Sequence, residues 1–315
     1  MKKVLIFGGG TGLSQLLKGL KEFPVDITAV VSVSDNGRST GKLREEFSIP
    51  AVGDITKVLV AMSTETNDVI KLFNYRFDEN SSLSNHSIKN LIMTALLEMK
   101  GDFNHSLPVL CSLLDVKGKV LPVTEDNVDL VGITKSGKEV IGEEQITESK
   151  SKIVDLKYSD KVKPNPKVLD EIKKADLIIF SSGSLLTSIM PNLIIPEVCE
   201  AINKSAAKKM YICNMITQPG ETDKFKVSDH IKYLENHLGK GTIDVVIANN
   251  SEMPKTIASL AKKEHKELVS IDQKELDKMN IEVISDKLLK VESGYIRHNS
   301  LKTSYLIFSY LMDRE

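Results

Sequence analysis

Gly8, Gly9, Gly10 and Gly12, interrupted only by Thr11, stand between an apolar run and an amphipathic one. Residues of this type at this spacing suit one kind of chemistry. Without side chains in the way, backbone N–H groups can approach an anion, and a helix opening there adds its positive dipole end. Gly9, Gly10, Thr11 and Gly12 are therefore candidate phosphate ligands. The dinucleotide fingerprint G-x-G-x-x-G is not met, because Leu13 occupies the third position and Gly12 comes one residue early. A second turn of this kind follows the apolar run ADLIIF (175–180), with Gly183, Ser184, Leu185 and Thr187 as its candidate ligands. Two such turns point to a ligand with more than one phosphate.

Candidate acids lie nearby in sequence. Asp35 follows the glycine turn by roughly 20–25 residues, where a ribose-binding acid is expected. Asp54 sits near the start of a predicted helix, where a carboxylate is also favourable as a simple cap. Both are candidates for catalysis or for a metal. GRSTGK (37–42) resembles a phosphate-binding P-loop but has three residues between its glycines, and Leu43 replaces the required hydroxyl. A mobile polar loop bordering a pocket is the expectation there. His86 and Asn90 are four apart and share a helix face, although a His in a first helical turn is more often a surface or capping group. Asn214, Thr217 and Gln218 end another apolar run. Arg297 precedes the last predicted helix, a poor place for a cation on dipole grounds, which favours a bound anion beside it. No Ser-His-Asp, Cys-His or HExxH arrangement is present, so hydrolase chemistry has no positive sign.

These residues need elements to hold them. VLIF (4–7), DITAVVSV (26–33), ADLIIF (175–180), KKMYICNM (208–215) and TIDVVIANN (242–250) are apolar runs typical of strands covered on both faces. LVSID (268–272) and IEVISDKLL (281–289) complete the predicted sheet. Leu13, Leu16, Leu17 and Leu20 recur at helical spacing, as do Ile88, Leu91, Ala95, Leu96 and Met99 within 84–100. Ser228 is read as the cap of a helix reaching about residue 237. Between 108 and 165 the pattern turns to short alternating runs, at 119–123, 128–134, 139–147 and 152–159. This predicts an antiparallel β insertion. The fold class is α/β: a Rossmann-like, mostly parallel sheet flanked by helices, forming one domain over 1–315 with a β-rich insertion at 108–165.

Composition sets outer limits. The 315 residues carry 42 Lys and Arg against 43 Asp and Glu, a net charge of −1. Such balance gives no electrostatic case for nucleic acid or an anionic membrane. Cys111, Cys199 and Cys213 are scattered among apolar residues with no CxxC pair, so buried thiols in a reducing cytoplasm are expected. The VLIF run is far too short for a membrane span or signal segment. A homodimer is the base expectation for oligomeric state.

Several blocks together resemble a known family. GGGTGLS (8–14), SDNGRSTGKLR (34–44), VGD (52–54), NHSIKN (85–90), GSLLTSIMPNL (183–193), YICNMITQPGETD (211–223) and IRHNS (296–300) resemble, in order and spacing, the gluconeogenesis factor (YvcK-like) family of the CofD-like fold. The resemblance implies a nucleotide-diphosphate site across the strand ends. It also implies a cytoplasmic regulator, with protein partners, that binds UDP-sugars such as UDP-N-acetylglucosamine. Such a regulator is needed for cell shape and for growth on gluconeogenic carbon sources. The alternative is the activity of the 2-phospho-L-lactate transferase branch, which uses magnesium and moves phospholactate from a nucleotide diphosphate donor to a deazaflavin. On this resemblance the two glycine turns would hold the phosphates, with Asn90, Asn214, Thr217, Gln218 and Arg297 around them. Asp35 and Asp54 would serve a metal or the acceptor. The family's D-D-G-G-S-[ST]-G loop is here Asp35-Asn36-Gly37-Arg38-Ser39-Thr40-Gly41, one carboxylate short, which weakens magnesium chemistry more than nucleotide binding.

Overall fold

The computed structural model describes residues 1–78 and 80–313. The chain opens with β1 (Lys3–Gly8), α1 (Gly10–Leu20) and β2 (Asp26–Val31). Five helices follow: α2 (Arg38–Phe47), α3 (Gly53–Met62), α4 (Asn67–Asn74), α5 (Ile88–Lys100) and α6 (Phe103–Leu113). Next come β3 (Lys119–Pro122), β4 (Leu130–Thr134), β5 (Glu139–Ile141), α7 (Glu143–Thr147) and β6 (Ile153–Tyr158). Then α8 (Pro166–Lys174) leads to β7 (Leu177–Phe180), a π-helical turn (Leu185–Ile189), α9 (Met190–Leu193), α10 (Pro196–Lys204) and β8 (Lys208–Ile212). The last stretch is α11 (Val227–Leu238), β9 (Val245–Asn249), α12 (Lys255–Lys263), α13 (Gln273–Lys278), β10 (Glu282–Asp286), β11 (Leu289–Glu292), β12 (Tyr295–His298) and α14 (Ser300–Met312).

Seven strands form one parallel sheet in the order β10-β9-β8-β7-β1-β2-β3. Its apolar runs are continuous because both faces are covered. Val4, Ile6, Leu177 and Ile179 pack into the core under α1, α3 and α14, while Leu5, Phe7, Ile178 and Phe180 pack into the core under α8, α10 and α11. The strand order reverses beside β1, whose neighbours are β2 and β7. A crevice therefore opens between β1 and β7 at their carboxyl ends, where open α/β sheets take ligands. Gly8 and Gly12 are needed here for space. A Cβ on Gly8 would overlap Ser181 Oγ, and one on Gly12 would overlap the Ser182 carbonyl. The early third glycine thus lets α1 pass close to the chain leaving β7.

Several sequence expectations need correction. Residues 38–47 are helical, so the polar loop after β2 ends at Gly37. Residues 103–113 are helical too, and Lys119–Pro122 is the parallel edge strand beside β2. A four-residue edge strand alternates as a hairpin strand does, which is why the pattern misled. The antiparallel unit is β5-β4-β6, and residues 143–147, expected as strand, are α7. Residues 268–272 are not a sheet strand. They bridge through Ile216 and Leu268, and Val269 N donates to Met215 O at 3.0 Å. Strand β10 stops at Asp286 because β11 and β12 form a separate hairpin. Ser228 is inside α11, and its hydroxyl donates to Asp272 Oδ2 at 2.6 Å. Helix α5 begins at Ile88, four residues later than expected from the sequence. Arg297 lies in β12; the helix after it starts at Ser300 with Asn299 as cap. The dipole argument for an anion at Arg297 therefore falls.

Candidate functional site

A cleft of about 580 Å³ runs along the carboxyl ends of the central strands. The first turn of α1 forms one wall. Gly10 has φ +57°, a left-handed conformation that suits glycine. No side chain caps this helix and its own first turn holds no acid; Gly10, Thr11 and Gly12 line the cleft. Gly9 is behind them, packed near Asp54 Oδ2 and Ser32 Oγ.

The Gly183 turn forms the opposite wall, and its amides are engaged. Gly183 N donates to Asn214 Oδ1 at 2.9 Å, and Asn214 Nδ2 returns a bond to Gly183 O at 2.7 Å. Leu185 N and Ser184 Oγ donate to the buried carboxylate of Glu221, at 2.5 and 2.8 Å. Thr187 N donates to Ser184 Oγ at 3.0 Å. The second expected anion cradle is thus filled from within, and Leu185 does not line the cleft. Ser184, Thr187, Asn214 and Gln218 do line it, joined by Gln15, Ser182, Ser188 and Pro219. Thr217 does not: its N–H donates to Glu267 O, and its hydroxyl accepts from Glu267 N.

Asp35, Asp54, Glu143 and Lys57 form the cleft floor. Lys57 Nζ stands 3.0 Å from Asp54 Oδ1, and that carboxylate holds the ammonium's pKa up. Asp35 accepts from Gly37 N at 2.9 Å and from Thr40 Oγ1 at 3.0 Å, fixing the start of α2. Burial, with the Asp54 charge, still pushes its pKa up. Glu143 is pushed well above the usual carboxylate range by burial first, then by Asp54 and Asp35; a hydrogen bond from Thr187 opposes this. Its Oε2 is sealed from solvent without a partner. The β insertion carries Glu143 to this position. Glu144 N donates to Asn36 Oδ1 and Asn36 Nδ2 to Gln145 Oε1, both at 2.9 Å, so α7 is tied to the loop after β2.

Arg297 and His298 reach the cleft from β12. The Arg297 guanidinium lies 5.2 Å from the Tyr295 ring centroid. His298 Nε2 is 3.2 Å from Cys213 O, and burial drops its pKa to about 4, so it is a neutral donor to that carbonyl. Asn90 lies apart from the cleft, in a neighbouring pocket of about 330 Å³, accepting from Thr56 Oγ1 at 2.7 Å. His86 is buried, not a surface cap: its Nδ1 meets Ser39 Oγ at 3.0 Å.

A magnesium ion was a candidate occupant. Among the described residues no three His, Cys, Asp or Glu side chains form a group that could hold a metal ion. Asp35 is engaged by two donors and Asp54 by Lys57, so this donor set does not fit a hard cation, which needs several free carboxylate oxygens. Sequence reading missed Glu143, Lys57 and the capping role of Glu221. Gly142 followed by two acids was the available signal for a helix start at Glu143.

An α/β chain with a Rossmann-like parallel sheet and a polar cleft at its switch point defines a broad class of small-molecule-binding proteins. Residues 4–289 match the family described as 2-phospho-L-lactate transferase CofD. The gluconeogenesis factor of Bacillus subtilis is 43% identical over 312 residues, covering 99% of this chain and 98% of that one. The gluconeogenesis factor of Halalkalibacterium halodurans is 41% identical over 307 residues, covering 97% and 95%. A crystal structure from Bacillus halodurans, described as a member of the UPF0052 family, superposes with a TM-score of 0.94 at 42% identity, covering 98% and 99%. The chain belongs to the CofD family, in its gluconeogenesis factor branch. Among the described residues no single helix is long and apolar enough to cross a membrane.

Proposed function

We propose that the cleft binds a nucleotide sugar of the UDP-N-acetylglucosamine class, and that the protein acts through the bound state as a cytoplasmic regulator of cell shape and of growth under gluconeogenic conditions. One observation carries the binding reading. The first turn of α1 has no side-chain cap and no acid of its own, and it lines a 580 Å³ cleft at the switch point. A diphosphate there would accept from the Gly10, Thr11 and Gly12 amides, as anions do at helix N-termini. Arg297 would meet the nucleotide or its phosphates from the far wall. The regulatory part follows the relatives' name. It implies a protein partner, and a homodimer is the expected assembly, which light scattering checks.

Calorimetry with UDP-N-acetylglucosamine is the direct test. The expected affinity is micromolar, about −8 kcal/mol. Thr11→Glu puts a carboxylate where the phosphate would sit, and weakens binding by tenfold or more with the unfolding midpoint kept. Absence of saturable binding to any UDP-sugar removes the proposal. A transferase reading is favoured by the family description and by the raised Asp35 and Glu143 pKa values. Incubation with a deazaflavin, a phospholactyl nucleotide and magnesium should then form product; no turnover beside intact nucleotide binding dismisses it.

A further inference from the structure

Lys57 has the cleft on one side and a different pocket on the other. That second pocket, about 380 Å³, lies among α1, α3, α4 and α5. Lys18 reaches it from α1, Lys21 from just past the end of α1, Lys57 from α3 and Lys89 from α5, and the only acid among the described residues lining it is Glu65. Only Lys57 has an ion pair among the described residues. Lys21 Nζ donates to Ser63 O at 2.6 Å, and Lys89 Nζ donates to Asn74 Oδ1 at 2.7 Å. Lys18 is exposed and makes no hydrogen bond or ion pair among the described residues, though its charge bears on the Glu292 carboxylate.

Lys89 is the least expected of the four. It is the second residue of α5, in a first turn that contains no acid. The dipole disfavours a cation there. The side chain is half-buried. Burial, then the charges of Lys57, Arg76 and Lys18, lower its pKa to about 8. The Asp54 charge opposes this only in part; a half-buried cation is costly, and a bound anion lowers the cost.

We propose that this pocket is a second ligand site, beside the nucleotide cleft, for a small phosphorylated polyhydroxy metabolite. Its phosphate sits among Lys18, Lys57 and Lys89. Its hydroxyls meet Gln15 and Asn67, whose side-chain amides line the pocket and are unused among the described residues. Lys18 and Lys89, ammonium groups without an ion pair among the described residues, suit a dianion better than a monocarboxylate, while Lys57 is already paired with Asp54. The volume is at the low end for small-molecule sites. Thr11 and Gln15 line both cavities, so the two ligands would be neighbours.

Calorimetry on the full chain tests this with glucose 6-phosphate, inorganic phosphate and glucose as probes. Glucose 6-phosphate should bind saturably at one site, with UDP-N-acetylglucosamine absent or saturating. Inorganic phosphate should bind at least tenfold more weakly, and glucose not at all. Lys18→Gln and Lys89→Gln should each weaken glucose 6-phosphate tenfold or more, leave UDP-N-acetylglucosamine within twofold, and unfold at the wild-type midpoint. Arg297→Glu should leave glucose 6-phosphate affinity within twofold. Four results each overturn the proposal: no saturable binding of glucose 6-phosphate, its loss when the nucleotide sugar saturates, equal affinity for inorganic phosphate, or full affinity in a folded Lys89→Gln variant. If the nucleotide reading alone fails, the UDP-sugar heat is missing while the Lys89-dependent binding persists.

Discussion

Glu143 and Glu221 are both acids beside the cleft with pKa values raised by burial, yet they do different things. Glu221 accepts from Leu185 N and Ser184 Oγ, and so acts as an internal anion for the turn after β7. Glu143 leaves Oε2 without a partner and faces two further carboxylates across the cleft floor. A folded-state pKa above the unfolded value means that the folded chain holds the proton more tightly. The stability this gives is fully present below the ordinary carboxyl range and is lost as pH rises through the raised value. Glu143→Gln keeps the shape and removes the charge. The unfolding midpoint is therefore expected to be unchanged at pH 4.5 and raised at pH 8, by about 2 °C, equivalent to ~1 kcal/mol. Thermal unfolding at the two pH values checks this. A variant no more stable than wild type at pH 8 would show that Lys57 already compensates the three carboxylates.

The elements that deliver these residues differ in how legible they are. Strands β1, β7, β8 and β9 are plain in the sequence because a parallel strand covered on both faces must be apolar throughout. The glycine turn is plain because four glycines in five residues have few other uses. Helix α7 was hidden: its five residues sit between a three-residue strand and a polar bend, and period-2 and period-3.6 patterns cannot be separated over so short a span. Glu143 was hidden with it. The filling of the Gly183 turn by Glu221 was out of reach, since it depends on a contact between residues 36 and 37 positions apart. Asn36 is what makes α7 an element of the site, through bonds to Glu144 N and Gln145 Oε1. Asn36→Ala removes both bonds on a partly exposed surface. Each net hydrogen bond is worth about 1 kcal/mol. The expected result is faster amide exchange confined to 142–148, with exchange in β1 and β7 unchanged. Equal protection of α7 in the variant would mean that packing of Ile146 alone holds it in place.

At the scale of the whole molecule, the cleft draws walls from distant parts of the chain: α1, the loop after β2, α7, the turn after β7, the segment after β8, and β12. The hairpin that carries Arg297 is anchored at the carboxyl end of its second strand. His298 bonds to the carbonyl of Cys213, and α14 lies against α1 so closely that a Cβ on Gly19 would overlap the Ser300 carbonyl. Thr303, Ser304 and Ile307 are fully buried in that contact, and Ser304 Oγ donates to Leu16 O at 3.3 Å. The match to the CofD family ends at residue 289, whereas the alignment to the Bacillus subtilis gluconeogenesis factor covers 99% of the chain. The arginine wall thus lies beyond the matched family segment. A ligand held by all these walls binds the folded chain alone, and its free energy adds to global stability. At a UDP-N-acetylglucosamine concentration of about 100 Kd the expected gain is about 2.7 kcal/mol. Hydrogen exchange should slow together in the glycine turn, α7, residues 213–218 and β12. Ile307→Ala tests whether α14 supports that closure. It leaves a cavity under α1, costs about 2–5 kcal/mol of stability, and loosens β12, so ligand affinity should fall while the chain remains folded. Unchanged affinity in that variant would show that the hairpin is held by His298 and Cys213 without help from the terminal helix.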